Sequence, residues 1–179
     1  HFWEEPCVSG AEGSGTVFFS GCSLGCVFCQ NYQISAGHFG RDIPVERLAE
    51  IFLELQEQKA NNINLVTGGH YIPQIVRALD LVRGKLHIPV VYNSSGYETV
   101  EALRMLKGYV DVYLPDLKYR SPERGARYSH APDYFAVASK AILEMFDQVG
   151  PVRFDGQGMI QKGLIVRHMV MPNGVEDSM

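Results

Sequence analysis

The sequence predicts an α/β fold in which a parallel sheet is covered by helices. Short segments rich in Val, Ile and Leu alternate with longer segments whose apolar residues recur at helical spacing. The predicted strands are apolar on both faces, as is typical of parallel strands buried between other layers. A doubly wound sheet and a complete or partial (β/α) barrel both satisfy this alternation. In either architecture, ligands bind at the carboxyl ends of the strands.

The first half of the chain predicts two strands and two helices. The β-rich run TVFF (16–19) is the first strand, and the compact apolar run INLVT (63–67) is the second. Between them, VERLAEIFLELQEQ (45–58) predicts a helix from the spacing of Leu48, Ile51, Phe52 and Leu55. Residues 72–83 repeat this pattern with Ile75, Val76, Leu79 and Val82.

The second half continues the alternation. IPVVYN (88–93) predicts a strand, ETVEALRML (98–106) a helix, and VDVYLPDLK (110–118) a fourth strand with Pro115 near its exit. A longer helix is predicted over residues 132–149, because Gly150-Pro151 is a helix stop followed by a breaker. A small hairpin or loop around Asp155-Gly156 precedes the fifth strand, LIVRHMVMP (164–172).

Composition restricts the classes of function. The 179 residues suit one domain with its own core, and the net charge of −4 argues against a polybasic nucleic-acid or membrane surface. No apolar run approaches the roughly 20 residues that cross a bilayer, and secretion is not indicated, so we expect a cytoplasmic protein. Because HFWEEPC reads as mid-chain sequence, we expect residues 1–179 to be one core domain that is incomplete at both ends.

Three of the four cysteines lie in the segment GCSLGCVFCQN (21–31), directly after the first strand. Cys22, Cys26 and Cys29 have the spacing C-x3-C-x2-C. A four-iron, four-sulfur cluster held by three thiolates would keep one iron open, since a fully ligated cluster takes four cysteines. From these residues alone, a zinc site completed by a distant His or by Cys7 stays open, as do buried thiols without metal.

Glycine and polar residues follow the other predicted strands. Gly68-Gly69 ends the second strand, Asn93-Ser94-Ser95-Gly96 the third, and Asp116 and Lys118 the fourth. Because parallel strands exit at one edge of a sheet, we expect these residues to gather near the cysteine loop. On their own, an ordinary turn would explain Asn93 to Gly96, and a surface ion pair would explain Asp116 and Lys118.

The signature C-x3-C-x-aromatic-C, with Phe28 as the aromatic residue, resembles that of radical S-adenosylmethionine (SAM) enzymes. With the motifs downstream, nearly the whole chain resembles the branch that contains pyruvate formate-lyase activating enzyme and its uncharacterised homologues. This resemblance implies a partial (β/α) barrel of parallel strands with outer helices, six-stranded when complete. Since the chain stops after strand five, we expect the native protein to continue beyond Met179.

The resemblance also implies cofactors and partners. Cys22, Cys26 and Cys29 would hold a four-iron, four-sulfur cluster, and SAM would chelate the open iron. An electron from a donor such as flavodoxin or ferredoxin would cleave SAM to a 5′-deoxyadenosyl radical, which abstracts hydrogen from a substrate. A protein glycine is one candidate substrate and a small molecule another. The alternative is a non-catalytic iron–sulfur electron-transfer module or a zinc-binding module.

Residues that match motifs of the family are implied to contact SAM. Phe28 and Gln30 would lie beside the adenine. Gly68-Gly69 resembles the start of the family's GGE motif, with His70 in place of Glu. Asn93 and Ser94 would face the ribose, although Asn93 in place of Asp puts a nearby cation site in doubt. Asp116 and Lys118 match the DLK motif, and Arg167 would bind a carboxylate or form a structural ion pair.

Overall fold

The computed structural model describes residues 1–2, 4–172 and 174–178 of the chain. Its strands are β1 (Gly15–Phe18), β2 (Ile63–Val66), β3 (Val90–Ser94), β4 (Val112–Leu117), β5 (Arg153–Phe154), β6 (Ile160–Leu164) and β7 (Arg167–His168). Its α-helices are α1 (Pro6–Ser9), α2 (Tyr32–Ser35), α3 (Val45–Glu57), α4 (Ile72–Leu81), α5 (Val100–Met105), α6 (Pro122–Ser129) and α7 (Tyr134–Val149). Short 3-10 turns span Gly69–Tyr71 and Val175–Ser178.

The main strands form one sheet in the order β1-β2-β3-β4-β6, with parallel pairing throughout this series. Each strand lies beside its predecessor along the chain, without the reversal of order that defines a doubly wound sheet. Within the described residues the sheet is open. The fold is therefore a partial (β/α) barrel, as the resemblance implied.

The helices α3, α4, α5 and α7 all cover the outer face of this sheet. Their buried side chains, including Phe52, Ile75, Leu103 and Met145, pack with Tyr92 and other outward residues of the strands in one core. Side chains alternate along each strand, so the intervening residues face inward. This one-sided helix layer is the arrangement of a barrel wall.

The inner face of the sheet is covered by the N-terminal segment. Val8 of α1 is fully buried against the inward side chains Val91, Val112 and Leu114. The side chain of Asn62 donates a hydrogen bond of 2.7 Å to the carbonyl of Val8 and ties the segment to the start of β2. This cover was not predicted, because α1 is only one turn long and has no periodic pattern to read.

The predicted fifth strand, residues 164–172, is wrong in its bounds. The observed strand starts at Ile160, inside the predicted hairpin region, and is interrupted between β6 and β7, both of which pair with β4 in the same register. Gly163 N and Ile165 N donate to the carbonyls of Asp111 and Tyr113. Pro115 comes next on this side of β4 and has no N–H to donate, which explains the interruption.

The remaining predicted elements are confirmed to within a few residues. The hairpin exists as the antiparallel pair β5–β6. The short helices α2 and α6 were not predicted, and α6 begins where the Ser121 hydroxyl accepts from Arg124 N at 3.3 Å. No helix in residues 1–2, 4–172 and 174–178 has the length and apolar character to cross a membrane.

We expect Gly96→Ala to destabilise the protein more than Gly108→Ala. Both glycines have positive φ, +75° and +84°, so both substitutions carry the left-handed backbone cost of about 1–2 kcal/mol. At Gly96, a Cβ would also overlap the carbonyl oxygen of Asp116, whereas no described atom lies within 4 Å of a Cβ at Gly108. The overlap should cost about 1–3 kcal/mol more, measured by urea unfolding. Equal losses of unfolding free energy in the two variants would show that the turn after β3 can shift to accommodate the added methyl group.

Candidate functional site

A cleft of about 660 Å³ lies at the carboxyl ends of the strands. Ten predicted site residues line it: Cys22, Cys26, Phe28, Cys29, Gln30, Asn93, Ser94, Asp116, Lys118 and Arg167. A smaller pocket of about 260 Å³ adjoins the cleft and shares Cys22, Thr67 and Ser95 with it. Side chains separated by up to 145 residues of sequence thus share one end of the sheet.

The two glycines of the predicted pair lie in different surroundings. Gly69 lines the smaller pocket, together with His70. Gly68 is buried and lines neither the cleft nor the smaller pocket. A Cβ at Gly68 would lie 2.7 Å from Ile75 Cδ1, so the missing side chain lets the strand exit approach α4 closely. Only Gly69 therefore faces space that a ligand could fill.

The cysteine loop is anchored on the helices that follow β4. Leu24 is buried in a cluster with Tyr119, Tyr134 and Ala138. The N–H of Val27 donates a 2.9 Å hydrogen bond to the carbonyl of Tyr128 in α6. Two contacts of different kinds therefore hold the loop, one by apolar burial and one through the backbone.

Each of the three thiols has a hydrogen-bond partner of its own. Leu24 N donates to Cys22 Sγ at 3.4 Å. The hydroxyl of Ser129 lies 2.9 Å from Cys26 Sγ, and that of Ser35 lies 3.2 Å from Cys29 Sγ. The two serines are not among the predicted site residues, because no local pattern marks either serine as a partner of a cysteine.

The three thiols supply the donor type that an iron–sulfur cluster takes, but their arrangement in this structure does not form a metal-holding group. Thiolates are the soft ligands that such clusters take, and here three of them come from one loop and line one cleft. In the described part of the chain, no group of three or more His, Cys, Asp and Glu side chains is arranged to hold a metal ion. Burial raises the pKa of the Cys22 thiol.

An ionic network joins the exits of β3, β4 and β7. Asp116 accepts from Lys118 Nζ and, at 3.0 Å, from Arg167 Nε. Arg167 Nη1 also lies 3.4 Å from Glu4 Oε2, and its Nη2 donates to Asn93 Oδ1. Arg167 thus forms the structural ion pair that the sequence left as an alternative.

Glu4 is a member of this network that the sequence did not indicate. Its side chain is only 9% exposed, and Asn93 Nδ2 donates to its Oε1 at 3.4 Å. Burial raises the pKa of the Glu4 carboxyl, and the nearby Arg167 opposes that rise. The N-terminal segment therefore contributes a carboxylate to the wall of the cleft.

Tyr134 of α7 joins two strand exits with one hydroxyl. The hydroxyl lies 2.7 Å from the carbonyl oxygen of Ser95 and 2.9 Å from that of Asp116, and it accepts from Lys118 N at 3.1 Å. Its ring stacks on Tyr97 at a centroid distance of 6.0 Å. Since the residue is 1% exposed, these bonds are shielded from water.

Glu98 occupies the smaller pocket and is also absent from the predicted site. The Ser94 hydroxyl donates to Glu98 Oε2 at 3.1 Å. Burial raises the pKa of the Glu98 carboxyl to about 7, while the bond from Ser94 opposes this rise. A carboxyl group with this pKa can gain or lose its proton near neutral pH.

Two comparisons place the chain among known proteins. The family model of the Radical SAM superfamily matches residues 16–155, from β1 to the start of the hairpin. An uncharacterized protein of Methanocaldococcus jannaschii is 36% identical over 171 residues, which cover 91% of this chain and 46% of that protein. The chain thus spans about half the length of this relative.

We expect Tyr134→Phe to lower the free energy of unfolding by about 1–3 kcal/mol, since the buried Lys118 N–H loses its acceptor and the carbonyls of Ser95 and Asp116 lose the one O–H donor that they share. Urea unfolding measures the loss. Tyr109→Phe is the matched control, because that hydroxyl bonds the exposed Asp80 and should cost under about 0.5 kcal/mol. Equal, small losses in both variants would contradict the role of Tyr134.

We expect Glu98→Gln to gain stability relative to the wild type as pH rises. The folded protein holds the Glu98 proton up to about pH 7, against an ordinary pKa of 4.5, so the wild type loses stability between these values. Glutamine carries no such loss. Unfolding at about pH 5 and about pH 8 measures the trend. A constant difference from wild type would contradict burial of the Glu98 carboxyl.

Proposed function

This chain belongs to the radical SAM superfamily, and we propose that the protein is an enzyme that cleaves SAM reductively. One observation carries the proposal: the three cysteines of the signature line the same cleft as Asn93, Ser94, Asp116, Lys118 and Arg167. A purely structural cysteine loop would have no need of polar strand exits from three other segments. A ligand that bridges the loop and the exits would need both.

In this proposal, Cys22, Cys26 and Cys29 hold a four-iron, four-sulfur cluster with one open position. When bound, that cluster supplies the electron that breaks a carbon–sulfur bond of SAM and yields the 5′-deoxyadenosyl radical. The protein keeps the thiols in one loop and places their hydrogen-bond donors. Bonds to thiolate sulfur are among the means by which a protein tunes such a centre.

The remaining residues of the cleft are proposed to position SAM. Phe28, half-buried and edge-on to Tyr119 at 6.5 Å, and the exposed Gln30 flank the loop end where adenine would lie. Gly69 offers its backbone, Asn93 and Ser94 face the ribose, and Asp116 with Lys118 would grip hydroxyls and the carboxylate. Arg167 already has three partners, which favours a positioning role toward Asp116 and Asn93 over direct binding.

The proposed reaction class is hydrogen abstraction of the activating-enzyme kind. A protein glycine is the candidate substrate that the family resemblance offers, and a small molecule is the other. Flavodoxin or ferredoxin would supply the electron in the cytoplasm. These assignments rest on the family resemblance. The relative that the chain matches is itself uncharacterized, and the chain spans only about half of its length.

We expect Cys26→Ala to abolish both cluster formation and SAM cleavage, whereas Cys7→Ala leaves both unchanged. Cys26 contributes one of three thiolates, while Cys7 lies on the inner face of the sheet beside the Val8 cluster. The full-length protein is reconstituted anaerobically with iron and sulfide, reduced, and assayed for visible absorption and for 5′-deoxyadenosine.

The same assay separates the competing functions. A cluster that forms but never cleaves SAM would indicate an electron-transfer module. Tight binding of zinc, without visible absorption, would indicate a structural zinc-binding module. Full cluster content in Cys26→Ala would show that the ligand set is wrong.

A further inference from the structure

The carboxylate of Glu4 is held in the wall of the cleft by a firmly anchored segment. Val8, four residues further along the chain, is fully buried on the inner face of the sheet. The hydroxyl of Ser9, a residue that is 2% exposed, accepts a hydrogen bond of 3.1 Å from Glu4 N. The backbone that carries the Glu4 carboxylate is therefore fixed by the fold, as is required of a residue that positions others.

The guanidinium group of Arg167 joins Glu4 to two of the proposed SAM contacts. Its Nη1 lies 3.4 Å from Glu4 Oε2, its Nε donates to Asp116 Oδ1 at 3.0 Å, and its Nη2 donates to Asn93 Oδ1. Three different nitrogens thus serve three oxygens, each from a separate segment of the chain. The planar fork of a guanidinium suits this set, whereas the compact ammonium of a lysine does not reproduce the fork.

Glu4 also contacts the amide of Asn93 directly. Asn93 Nδ2 donates to Glu4 Oε1 at 3.4 Å, while the amide oxygen of the same side chain accepts from Arg167. The amide is therefore held at both ends, and its orientation follows from the carboxylate on one side and the guanidinium on the other. His1 Nε2 lies 4.0 Å from the same Glu4 oxygen. Loss of the Glu4 carboxylate would release one end of Asn93 and one nitrogen of Arg167 together.

Arg167 is also the cation that compensates the two carboxylates beside it. The Glu4 side chain is almost fully buried, and Glu5 adds a further negative charge nearby. Asp116 shares its charge between Arg167 and Lys118. Because a buried carboxylate is costly without an opposite charge, removal of the Arg167 side chain would leave an acidic gap that a free guanidinium ion can fill.

We propose that Glu4 is a positioning residue of the SAM site, which it orders through Arg167. The contacts ordered in this way are Asp116 and Asn93, whose role toward SAM rests on the proposed function. Glu4 and Arg167 both lie outside residues 16–155, the part of the chain that the superfamily model matches. The coupling therefore joins two segments that flank the matched region, and it gives the N-terminal segment a function beyond covering the sheet.

Chemical rescue with guanidinium tests this coupling. SAM is titrated anaerobically into the full-length, cluster-reconstituted protein, and dissociation constants are compared for the wild type, Glu4→Gln, Arg167→Ala and the double variant. Each titration is repeated with about 20 mM guanidinium, far too little to unfold a domain, and with potassium at the same ionic strength. Arg104→Ala is the matched control, because this exposed arginine pairs with Glu144 between α5 and α7. Circular dichroism melting verifies that each variant folds.

We expect Arg167→Ala to weaken SAM binding by about tenfold or more, and guanidinium to restore it to within about threefold of the wild type. Potassium should not restore binding, because it has no N–H groups to donate. Glu4→Gln should weaken binding by about threefold or more, since the amide keeps the shape of the side chain without its charge. In the double variant guanidinium should restore little, because the carboxylate that holds it is gone. Arg104→Ala should bind SAM as the wild type does.

Several outcomes would overturn the coupling. Wild-type affinity in Glu4→Gln, or equal rescue with and without the Glu4 carboxylate, would show that Glu4 takes no part in ordering the site. Equal rescue by potassium would show that charge alone acts, without the fork of hydrogen bonds. If Arg167→Ala fails to fold, Arg167→Lys replaces it and should lose affinity for SAM although it keeps the charge. A wild type that does not bind SAM at all would overturn the proposed function as well, a result distinct from failure of the coupling alone.

Discussion

The arrangement of the cleft depends on the ion pairs that the Asp116 carboxylate forms. It accepts from Lys118 on its own strand and from Arg167 on β7, and Arg167 reaches onward to Asn93 of β3 and Glu4 of the N-terminal segment. Partly buried charges of this kind are stable only when they are paired, because desolvation penalises each charge on its own. The pairing therefore ties four segments together at the end of the sheet where ligands bind.

The interruption of the fifth strand is compatible with this pairing because the register is kept. Pro115 cannot donate to the neighbouring strand, so the ladder stops between β6 and β7. Beyond the gap, Arg167 still lies opposite Asp116. The backbone hydrogen bond that is missing at Pro115 is thus followed by the side-chain ion pair of Asp116 with Arg167. The last strand is consequently short and polar where it borders the cleft.

The cysteine loop depends on a different support. Its three thiols are bonded by a backbone N–H and by serines of α2 and α6, and its buried Leu24 packs with Tyr119 and Tyr134. Tyr134 in turn holds the exits of β3 and β4. The aromatic cluster between the loop and α7 is thus shared, so the thiols and the polar strand exits are positioned by the same packed side chains. Rigid placement of this kind is what a site for a reactive cofactor requires.

The sequence alone determined the alternation of strands and helices, the cysteine spacing and the polar strand exits, because each of these is a local pattern that periodicity or composition reveals. The superfamily followed from the same local motifs and is confirmed by the family match. Tertiary structure decided the rest. Ser129, Glu4, Tyr134 and Glu98 take their places only when distant segments pack together, and the break in the last strand is caused by a proline on its neighbour. Such contacts have no signature within any one segment, since they arise from which strands and helices become neighbours.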